Sequence, residues 1–478
     1  MKKKRALFWI ILMVVNPLVS LAFAIWVFSI PGTWGMVKWD AYFRMVTVLV
    51  LSLGFWAPVI LGIRWLLLRR WKGIFGLVRW LERGLSVLTL VVSLGVLGFL
   101  AVQPLIREGD KGPLLLAATP AGQPGETQLV LSLWSKEKSQ LSVSLEGSSG
   151  AQTLGDAAKT RVHRFAFPEL EPFTTYSYRL GNESPVLFRT PPDISRGSTQ
   201  TLNVAFSSDA HFGAGSNSPE DTSGIWNNWL TRAADPGSEN RLDLVCSLGD
   251  LVEMGFSDDE WQQALDVLAP LQRSGSFVQV PLMSAPGNHD VAFGGYLNYL
   301  DYFSPLTNPS RKDMYRRVDV GPVHFLLLSN LWGMEDFSRA QMDWLQAQLG
   351  SIPEEDWTVV VSHCFYYASG IAIGNIHWYD HRENIEKLVP VFEQGGVDIV
   401  VSGHNHQMEL LEKQGITYAL VGTFGGVLEK DPQVISSASQ WYANQTHGWL
   451  EIRFSPQQAQ LVFFDVQGKE LFSQEVSQ

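Results

Sequence analysis

The sequence has 478 residues, a formal net charge of −11 and two cysteines. This length predicts more than one domain, and two cysteines exclude a disulfide framework as the basis of the fold. The charge is divided unevenly, because residues 1–106 carry 12 basic and 2 acidic side chains, whereas residues 107–478 carry 24 basic and 45 acidic ones. The acidic part argues against nucleic acid as a partner, since binding to its backbone relies on basic patches.

Three apolar stretches in the first part match the thickness of a bilayer. Runs of about 17–25 apolar residues cross the hydrocarbon core, and the sequence predicts transmembrane helices over residues 6–30, 45–67 and 84–106. The first stretch is too long for the hydrophobic part of a cleaved signal peptide. Residues 1–110 are therefore predicted to form a membrane region in contact with lipids.

Basic residues set the predicted orientation of these helices. Four of them, Lys2–Arg5, precede the first helix, and six lie between residues 64 and 83. The positive-inside rule places both groups in the cytoplasm. With three spans, everything after residue 106 is predicted to lie on the periplasmic or extracellular side of an inner or cell membrane.

A change to two-residue periodicity marks residues 111–192. Leu141, Val143 and Leu145 alternate with polar residues, a pattern typical of half-buried strands. The run Leu170–Tyr178 resembles the tyrosine corner of fibronectin type III domains, in which a tyrosine hydroxyl bonds back to the upstream chain. This segment is therefore predicted to form a small all-β sandwich, similar to fibronectin type III, that serves as a packing and spacer module.

Strand-like and helical stretches alternate over residues 200–478. Apolar runs are followed by amphipathic stretches such as 258–272, 338–349 and 382–393, an arrangement typical of α/β units with a buried sheet. Two further runs, 450–454 and 460–464, predict antiparallel strands that close a second sheet. The predicted fold class is α/β.

Five apolar runs in this part end in side chains that bind metals. Strands that end in such residues bring them to the edge of a sheet, where α/β proteins hold their ligands. The residues are Asp209, His211, Asp250, Asn288, His289, Asp290, His363, His404 and His406. Carboxylate, imidazole and amide groups without thiolates favour two hard or borderline cations such as Mn, Fe or Zn.

These blocks follow one another in the order DxH, GD, GNHD, H and GHxH, and they resemble the calcineurin-like metallophosphoesterase family. The resemblance implies a two-sheet αββα sandwich over residues 200–478 and two divalent or trivalent metal ions. One ion would be held by Asp209, His211 and His406 and the other by Asn288, His363 and His404, with Asp250 bridging the pair. It also implies hydrolysis of phosphate mono- or diesters by a hydroxide shared between the ions.

His289 is a predicted catalytic residue, because the family keeps its metal ligand on the preceding asparagine. It would stabilise the transferring phosphoryl group or protonate the leaving oxygen, with Asp290 fixing its orientation and tautomer. His377 lies in an aromatic loop after His363 and is a predicted substrate contact. The alternative is that this loop packs against the β-sandwich.

The order of a β-sandwich followed by such a site also resembles purple acid phosphatases. This sequence differs from that subgroup at two positions. That subgroup has glycine at the position of His211 and a metal-binding tyrosine at the position of Glu253. The departures argue against the iron–tyrosine centre of that subgroup and favour a general metallophosphoesterase.

The sequence therefore predicts a membrane-anchored, metal-dependent phosphoric ester hydrolase acting on a small or lipid-linked substrate. The alternative is an inactive phosphoesterase fold that serves as a receptor or binding module on the outer membrane face, although no motif residue is missing. A channel is disfavoured, because the spans lack a charged pathway. The natural substrate, the metals, the oligomeric state and a disulfide between Cys246 and Cys364 remain open at this point.

Overall fold

The computed structural model describes residues 105–478, apart from 121, 148–149, 196–197, 236, 239, 269–277, 335 and 374–375, together with residues 80, 84, 87 and 91. The predicted spans at 6–30 and 45–67, and nearly all of the span at 84–106, lie outside the described residues. Within the described part, no helix is long and apolar enough to cross a bilayer. Residues 106–213 and 217–478 belong to one of the two compact units into which the chain divides.

Seven strands form the segment predicted to be a small all-β sandwich. They are β1 (Lys111–Ala118), β2 (Gln128–Ser139), β3 (Ser142–Gly147), β4 (Gly150–Gly155), β5 (Thr160–Phe167), β6 (Thr175–Leu180) and β7 (Val186–Arg189). Strands β1, β2 and β5 are neighbours in one sheet, and β7, β6, β3 and β4 are neighbours in another. Val143 and Leu145 are buried whereas Ser142 is exposed, so the predicted alternation is confirmed.

The tyrosine in the run Leu170–Tyr178 makes the contact that its sequence context predicts. The backbone N–H of Glu171 donates to the hydroxyl oxygen of Tyr176 at 2.9 Å, and Tyr176 stacks on Phe188 of β7 at a centroid distance of 5.7 Å. This bond fixes the turn that leads into β6.

The α/β part contributes the remaining strands. They are β8 (Leu202–Ser207), β9 (Leu244–Ser247), β10 (Val278–Gln279), β11 (Leu282–Ser284), β12 (Arg316–Val320), β13 (Val323–Leu327), β14 (Trp357–Ser362), β15 (Ile371–Ile373), β16 (Ile376–Trp378), β17 (Ile399–Ser402), β18 (Met408–Lys413), β19 (Ile416–Val421), β20 (Ser439–Ala443), β21 (Gly448–Phe454), β22 (Gln458–Asp465) and β23 (Glu470–Ser477).

The helices of this part follow the strands that they cover. They are α1 (Pro219–Ala234), α2 (Asp258–Leu268), α3 (Asn288–Val291), α4 (Tyr296–Phe303), α5 (Arg339–Leu349), α6 (Arg382–Lys387) and α7 (Val389–Gln394), with short 3-10 turns at Ala292–Gly294 and Arg311–Met314. Helix α5 begins at Ser338, whose hydroxyl accepts a hydrogen bond from the backbone N–H of Gln341, a typical N-cap.

Two large sheets carry these strands. The first has the order β23-β22-β21-β8-β9-β11-β1-β2-β5, and the second has the order β12-β13-β14-β17-β19-β18-β20. Strands β8, β9 and β11 are parallel in the first sheet, and β13, β14, β17 and β19 are parallel in the second. Parallel strands end at the same edge of their sheet, which brings their carboxyl ends together.

The sheets pack face to face with helices outside. Phe206 of β8 faces the interior between the sheets and lies 6.3 Å from the ring of Phe325 on β13. Its neighbour Ala205 faces the opposite way, toward Trp229 of α1, because adjacent residues of a strand point to opposite faces. On the far side, Leu345 of α5 packs on the second sheet. The mixed α/β sheets agree with the predicted fold class.

The β-sandwich and the α/β part share sheets. Strand β1 pairs with β11 in parallel at Leu116 and Leu282, and the short strand β10 pairs with β7 of the sandwich. The predicted boundary near residue 192 therefore separates segments of sequence that are hydrogen-bonded to each other in the fold.

Candidate metal centre

The predicted metal ligands lie at the carboxyl ends of the central parallel strands. In the first sheet Asp209 follows β8, Asp250 follows β9 and Asn288 follows β11; in the second sheet His363 follows β14 and His404 follows β17. Since the two sheets face each other, these ends meet in one place. The structure thus brings together residues separated by up to 195 positions in sequence.

One cluster consists of Asp209, His211 and His406. The Oδ1 atom of Asp209 lies 3.3 Å from Nε2 of His406 and 3.6 Å from Nε2 of His211. The two Nε2 atoms are 3.2 Å apart. All three side chains therefore direct one ligand atom toward a common point.

A second cluster consists of Asp250, His363 and His404, with Asn288 beside them. Nε2 of His363 lies 3.2 Å from Oδ2 of Asp250, 2.8 Å from Oδ1 of Asn288 and 3.0 Å from Nδ1 of His404. The same Oδ2 atom of Asp250 is 3.7 Å from Nε2 of His211 in the first cluster. Asp250 is thus placed between the two clusters, as a bridging carboxylate would be.

Backbone strain accompanies these ligands. Asp209, His211, Asp250 and His404 all have positive φ angles, of 66°, 49°, 50° and 72°. Residues other than glycine rarely adopt this conformation, which costs about 1–3 kcal/mol each and tends to persist at functional sites. The surrounding packing therefore holds four ligand residues in a geometry that they would not adopt in isolation.

The close approach of two motif loops depends on glycine. A Cβ atom on Gly287 would collide with the backbone and carboxylate of Asp250, and a Cβ on Gly249 would collide with Gly287. Gly249 also has a φ of 96°. Both positions need glycine so that Asp250 and Asn288 can lie next to each other.

Hydrogen bonds on the far side of the rings fix which nitrogen faces the cluster. Nδ1 of His363 donates to the carbonyl oxygen of Leu248 at 3.0 Å, and Nδ1 of His406 donates to that of Val427 at 2.6 Å. Because a carbonyl only accepts, these nitrogens carry a hydrogen, and Nε2 is the nitrogen that faces the cluster. Histidines that bind metals are typically oriented in this way.

Glu253 orients His211 and also contacts His289. Its Oε2 atom accepts a hydrogen bond from Nδ1 of His211 at 2.6 Å, and its backbone carbonyl oxygen accepts one from Nδ1 of His289 at 2.8 Å. Burial would raise the pKa of the Glu253 carboxyl, but His289 and His211 hold that pKa below its ordinary value. Glu253 is thus an ionised, buried carboxylate behind a proposed metal ligand.

The donor set fits two cations. Within the described part of the chain, the buried Oδ1 atom of Asp209 makes no hydrogen bond of normal geometry, although it faces two imidazoles. Nε2 of His406 and Nε2 of His211 point at each other across 3.2 Å, an arrangement that either a shared proton or a metal cation between the two nitrogens would stabilise. Carboxylate, imidazole and amide oxygen donors suit hard or borderline ions.

The pKa shifts of His404 and Asp250 leave these two ligands in the forms that bind cations. Burial lowers the pKa of His404 well below its ordinary value, and positive charge on His363 lowers it further. Burial would raise the pKa of Asp250, but His363 and His289 hold that pKa well below its usual range. The imidazole of His404 is therefore neutral and the carboxylate of Asp250 is ionised.

The predicted role of Asp290 needs a correction. Its Oδ1 atom accepts from the backbone N–H groups of Leu251 and Val252, and its Oδ2 atom accepts from that of Gly287. His289 is instead oriented by the carbonyl oxygen of Glu253. Consecutive residues of the helical turn α3 point in different directions, so Asp290 holds two motif loops together and does not fix the tautomer of His289.

The predicted substrate contact His377 lies on β16 and is exposed. Its ring stacks on that of Tyr379 at 5.1 Å, whereas the next residue, Trp378, lies 4.9 Å from the ring of His404. Contact of His377 with substrate stays a prediction. The sequence did not single out Trp378, although it lies closer to a proposed ligand. Cys246 and Cys364 are both buried and do not form a disulfide.

Known proteins resemble this chain in sequence and in fold. Residues 202–408 match the family described as calcineurin-like phosphoesterase. The matched range includes the seven predicted ligands of the metal centre, from Asp209 to His406.

Two curated relatives are acid phosphatases. Purple acid phosphatase 18 of Arabidopsis thaliana is 24% identical over 259 residues, which cover 52% of this chain and 53% of the relative. Acid phosphatase type 7 of Danio rerio is 24% identical over 286 residues, which cover 52% of this chain and 57% of the relative. The chain thus spans little more than half the length of these relatives. These matches support the predicted class, a metal-dependent phosphoric ester hydrolase.

A solved structure shares the fold of most of this chain. A purple acid phosphatase isolated from yellow lupin (Lupinus luteus) seeds superposes with a TM-score of 0.62 at 16% sequence identity, covering 77% of this chain and 74% of that one. At this level of sequence identity, the similarity shows a shared fold and carries no conclusion about activity.

Proposed function

We propose that this chain hydrolyses phosphate mono- or diesters at a dinuclear metal centre. The observation that carries the proposal is the convergence of ligand atoms in two adjoining clusters, one around Asp209 and one around His363, with Asp250 facing both. Two cations held there would supply positive charge that polarises a phosphoryl oxygen and would lower the pKa of bound water. The same arrangement has no evident use in an inactive binding module.

Each proposed site residue has a role in binding a cation or in transferring a proton. Asp209, His211 and His406 would hold one cation, Asn288, His363 and His404 the other, and Asp250 both. His289 donates through Nδ1 to the carbonyl of Glu253, so its Nε2 atom is the nitrogen that can exchange a proton with the substrate. We assign to His289 the protonation of the leaving oxygen.

The sequence predicts where the enzyme lies relative to the membrane. Three transmembrane helices over residues 6–30, 45–67 and 84–106 would anchor the chain, with its N-terminus in the cytoplasm and the catalytic domain on the periplasmic or extracellular side. A phosphate ester that is small or linked to a lipid would then reach the site at the membrane surface. The bond from Glu171 to Tyr176 supports a fibronectin type III-like character for residues 111–192.

The function is tested by metal-dependent turnover. The full chain, purified and stripped of metal, is assayed with p-nitrophenyl phosphate and bis-p-nitrophenyl phosphate after addition of Mn, Fe, Zn or no metal. We expect turnover only with metal, and a loss of about a thousandfold or more in Asp250→Asn, since the change removes a ligand common to both cations. The preferred ester separates monoesterase from diesterase activity.

Asp398→Asn is the matched control. Asp398 precedes β17, whose other end leads to His404, and its carboxylate accepts a hydrogen bond from the backbone N–H of Thr358 at 2.8 Å. An asparagine oxygen can accept the same bond, so this variant should keep full turnover. A folded wild-type protein that binds two ions and hydrolyses neither ester with any metal would favour the binding-module alternative.

A further inference from the structure

Aromatic side chains surround one proposed ligand of the second cation. The ring of His404 lies 5.2 Å from that of Trp332, 4.9 Å from that of Trp378 and 6.1 Å from that of Phe365. His404 and Phe365 are buried, whereas Trp332 and Trp378 are only half-buried. Part of each indole therefore reaches the surface beside the metal centre. We call Trp332 and Trp378 the aromatic rim.

The rim is held in place by hydrogen bonds. Nε1 of Trp378 donates to Oε1 of Glu429 at 3.2 Å, and the carbonyl oxygen of Trp332 accepts from Nε2 of His381 at 3.1 Å. His381 is fixed in turn, since its Nδ1 accepts from the backbone N–H of Asn384. The indole of Trp378 is therefore held before a ligand binds, which favours affinity.

Strand geometry directs the rim toward the metal centre. On β16, Trp378 points to His404, and its neighbours His377 and Tyr379 stack on each other, because alternate residues of a strand share a face. A Cβ atom on Gly370 would collide with the carbonyl oxygen of Trp378. The hairpin therefore requires glycine at that position to bring the indole to His404.

We propose that the aromatic rim binds a planar aromatic part of the leaving group, such as the base of a nucleoside monophosphate. Indole faces stack on nucleobases regardless of base identity, and the Glu429 carboxylate beside Trp378 favours a neutral group over a second anionic one. This inference rests on the proposed function and names its substrate class. Water supplies the oxygen that replaces the leaving alkoxide on phosphorus, and the alkoxide takes up a proton and departs as the nucleoside.

The test compares two substrates with the same leaving oxygen. Adenosine 5′-monophosphate and ribose 5-phosphate both release a primary alcohol, and only the first carries a base. For the metal-loaded full chain we expect kcat/KM to be about tenfold higher for the nucleotide, because stacking of a base on an aromatic side chain strengthens binding about 5- to 150-fold. Trp378→Ala should lower the ratio of kcat/KM for the nucleotide to kcat/KM for ribose 5-phosphate about tenfold.

Two variants serve as controls. Trp378→Phe keeps an aromatic face and should retain most of the preference for the nucleotide. Trp344→Ala removes a half-buried indole from α5, where it contacts Tyr315 at 5.0 Å and not the proposed ligands, and it should leave both substrates unaffected. Equal turnover of the two substrates by the wild-type protein would overturn the inference and leave the proposed function intact.

A binding measurement separates the two proposals. If no phosphate ester is hydrolysed with any metal, the proposed function fails, and calorimetric titration with the nucleotide and with ribose 5-phosphate still tests the rim. Binding of the nucleotide at least about tenfold tighter than ribose 5-phosphate, weakened in Trp378→Ala, would support a base-binding rim. Equal affinities would overturn it.

Discussion

Replacing Glu253 with glutamine should weaken metal binding more than it weakens catalysis. The carboxylate accepts from Nδ1 of His211 at 2.6 Å and so keeps Nε2 of that ring basic and aimed at the first cluster. Glutamine has the same shape and can still accept a hydrogen bond through its amide oxygen, but it carries no charge. The substitution therefore removes the charge behind the ligand and little else.

The expected magnitude follows from this contact. A hydrogen bond to a charged group contributes about 1.5–3 kcal/mol, and loss of such support behind a metal ligand typically lowers metal affinity about 10- to 100-fold. We expect a loss in this range for Glu253→Gln. His289 donates its hydrogen bond to the backbone carbonyl of Glu253, which the substitution keeps, and lies 3.6 Å from the Oε2 atom, so kcat at saturating metal should fall by less than about threefold.

The assay is a titration of metal-free protein with Mn or Zn against a competing chelator, with activity followed over the same range of metal. Glu409→Gln is the matched control, because Glu409 is fully buried and its carboxylate accepts from both the backbone N–H and the hydroxyl of Ser369. Unchanged metal affinity in a folded Glu253→Gln variant, or an equal loss in the control, would refute the reasoning.

Three further substitutions probe other contacts. Asp290→Asn should lower the free energy of unfolding by about 2 kcal/mol, because an amide cannot accept all three backbone N–H bonds; unchanged stability with a shifted pH–rate profile would instead restore the role first predicted for it. Burial raises the pKa of Asp398 from 3.8 to about 6, so the folded state holds the proton more tightly, and the ionised group destabilises the protein above that pH. Asp398→Asn should therefore add up to about 3 kcal/mol to the free energy of unfolding in denaturant at pH 7.5, and much less at pH 4, because the cost of ionising the folded state develops between the two pKa values, 3.8 and about 6. Tyr176→Phe removes the bond from Glu171 and should cost about 1 kcal/mol by the same measurement, whereas no change would mean that the bond is replaced by water.

The metal centre could be predicted because its signal is local. Each ligand directly follows an apolar run, and parallel strands place such residues at one edge whatever lies between them in sequence. The role of Glu253 is harder to predict from the sequence, because its hydrogen-bond partner His211 is 42 positions away. Its only signal was that glutamate stands where a related subgroup has a metal-binding tyrosine.

Two contacts near the site do not follow from which residues are neighbours in sequence. Asp290 was paired with His289, but adjacent residues of a helical turn do not face each other. His377 stays a predicted substrate contact, and alternation along β16 places the next residue, Trp378, against His404. In both cases the position along a helix or strand decides the contact, and the sequence alone does not show where that short element begins.

The pairing of β1 with β11 makes the β-sandwich part of the folding unit of the catalytic domain. Expression of residues 200–478 alone would leave β11 as a bare sheet edge, with unpaired backbone groups that invite association with other chains. The two segments should accordingly unfold in one cooperative transition. Substitutions in the β-sandwich and around the metal centre then act on the same free energy of unfolding, because a defect in either segment destabilises both.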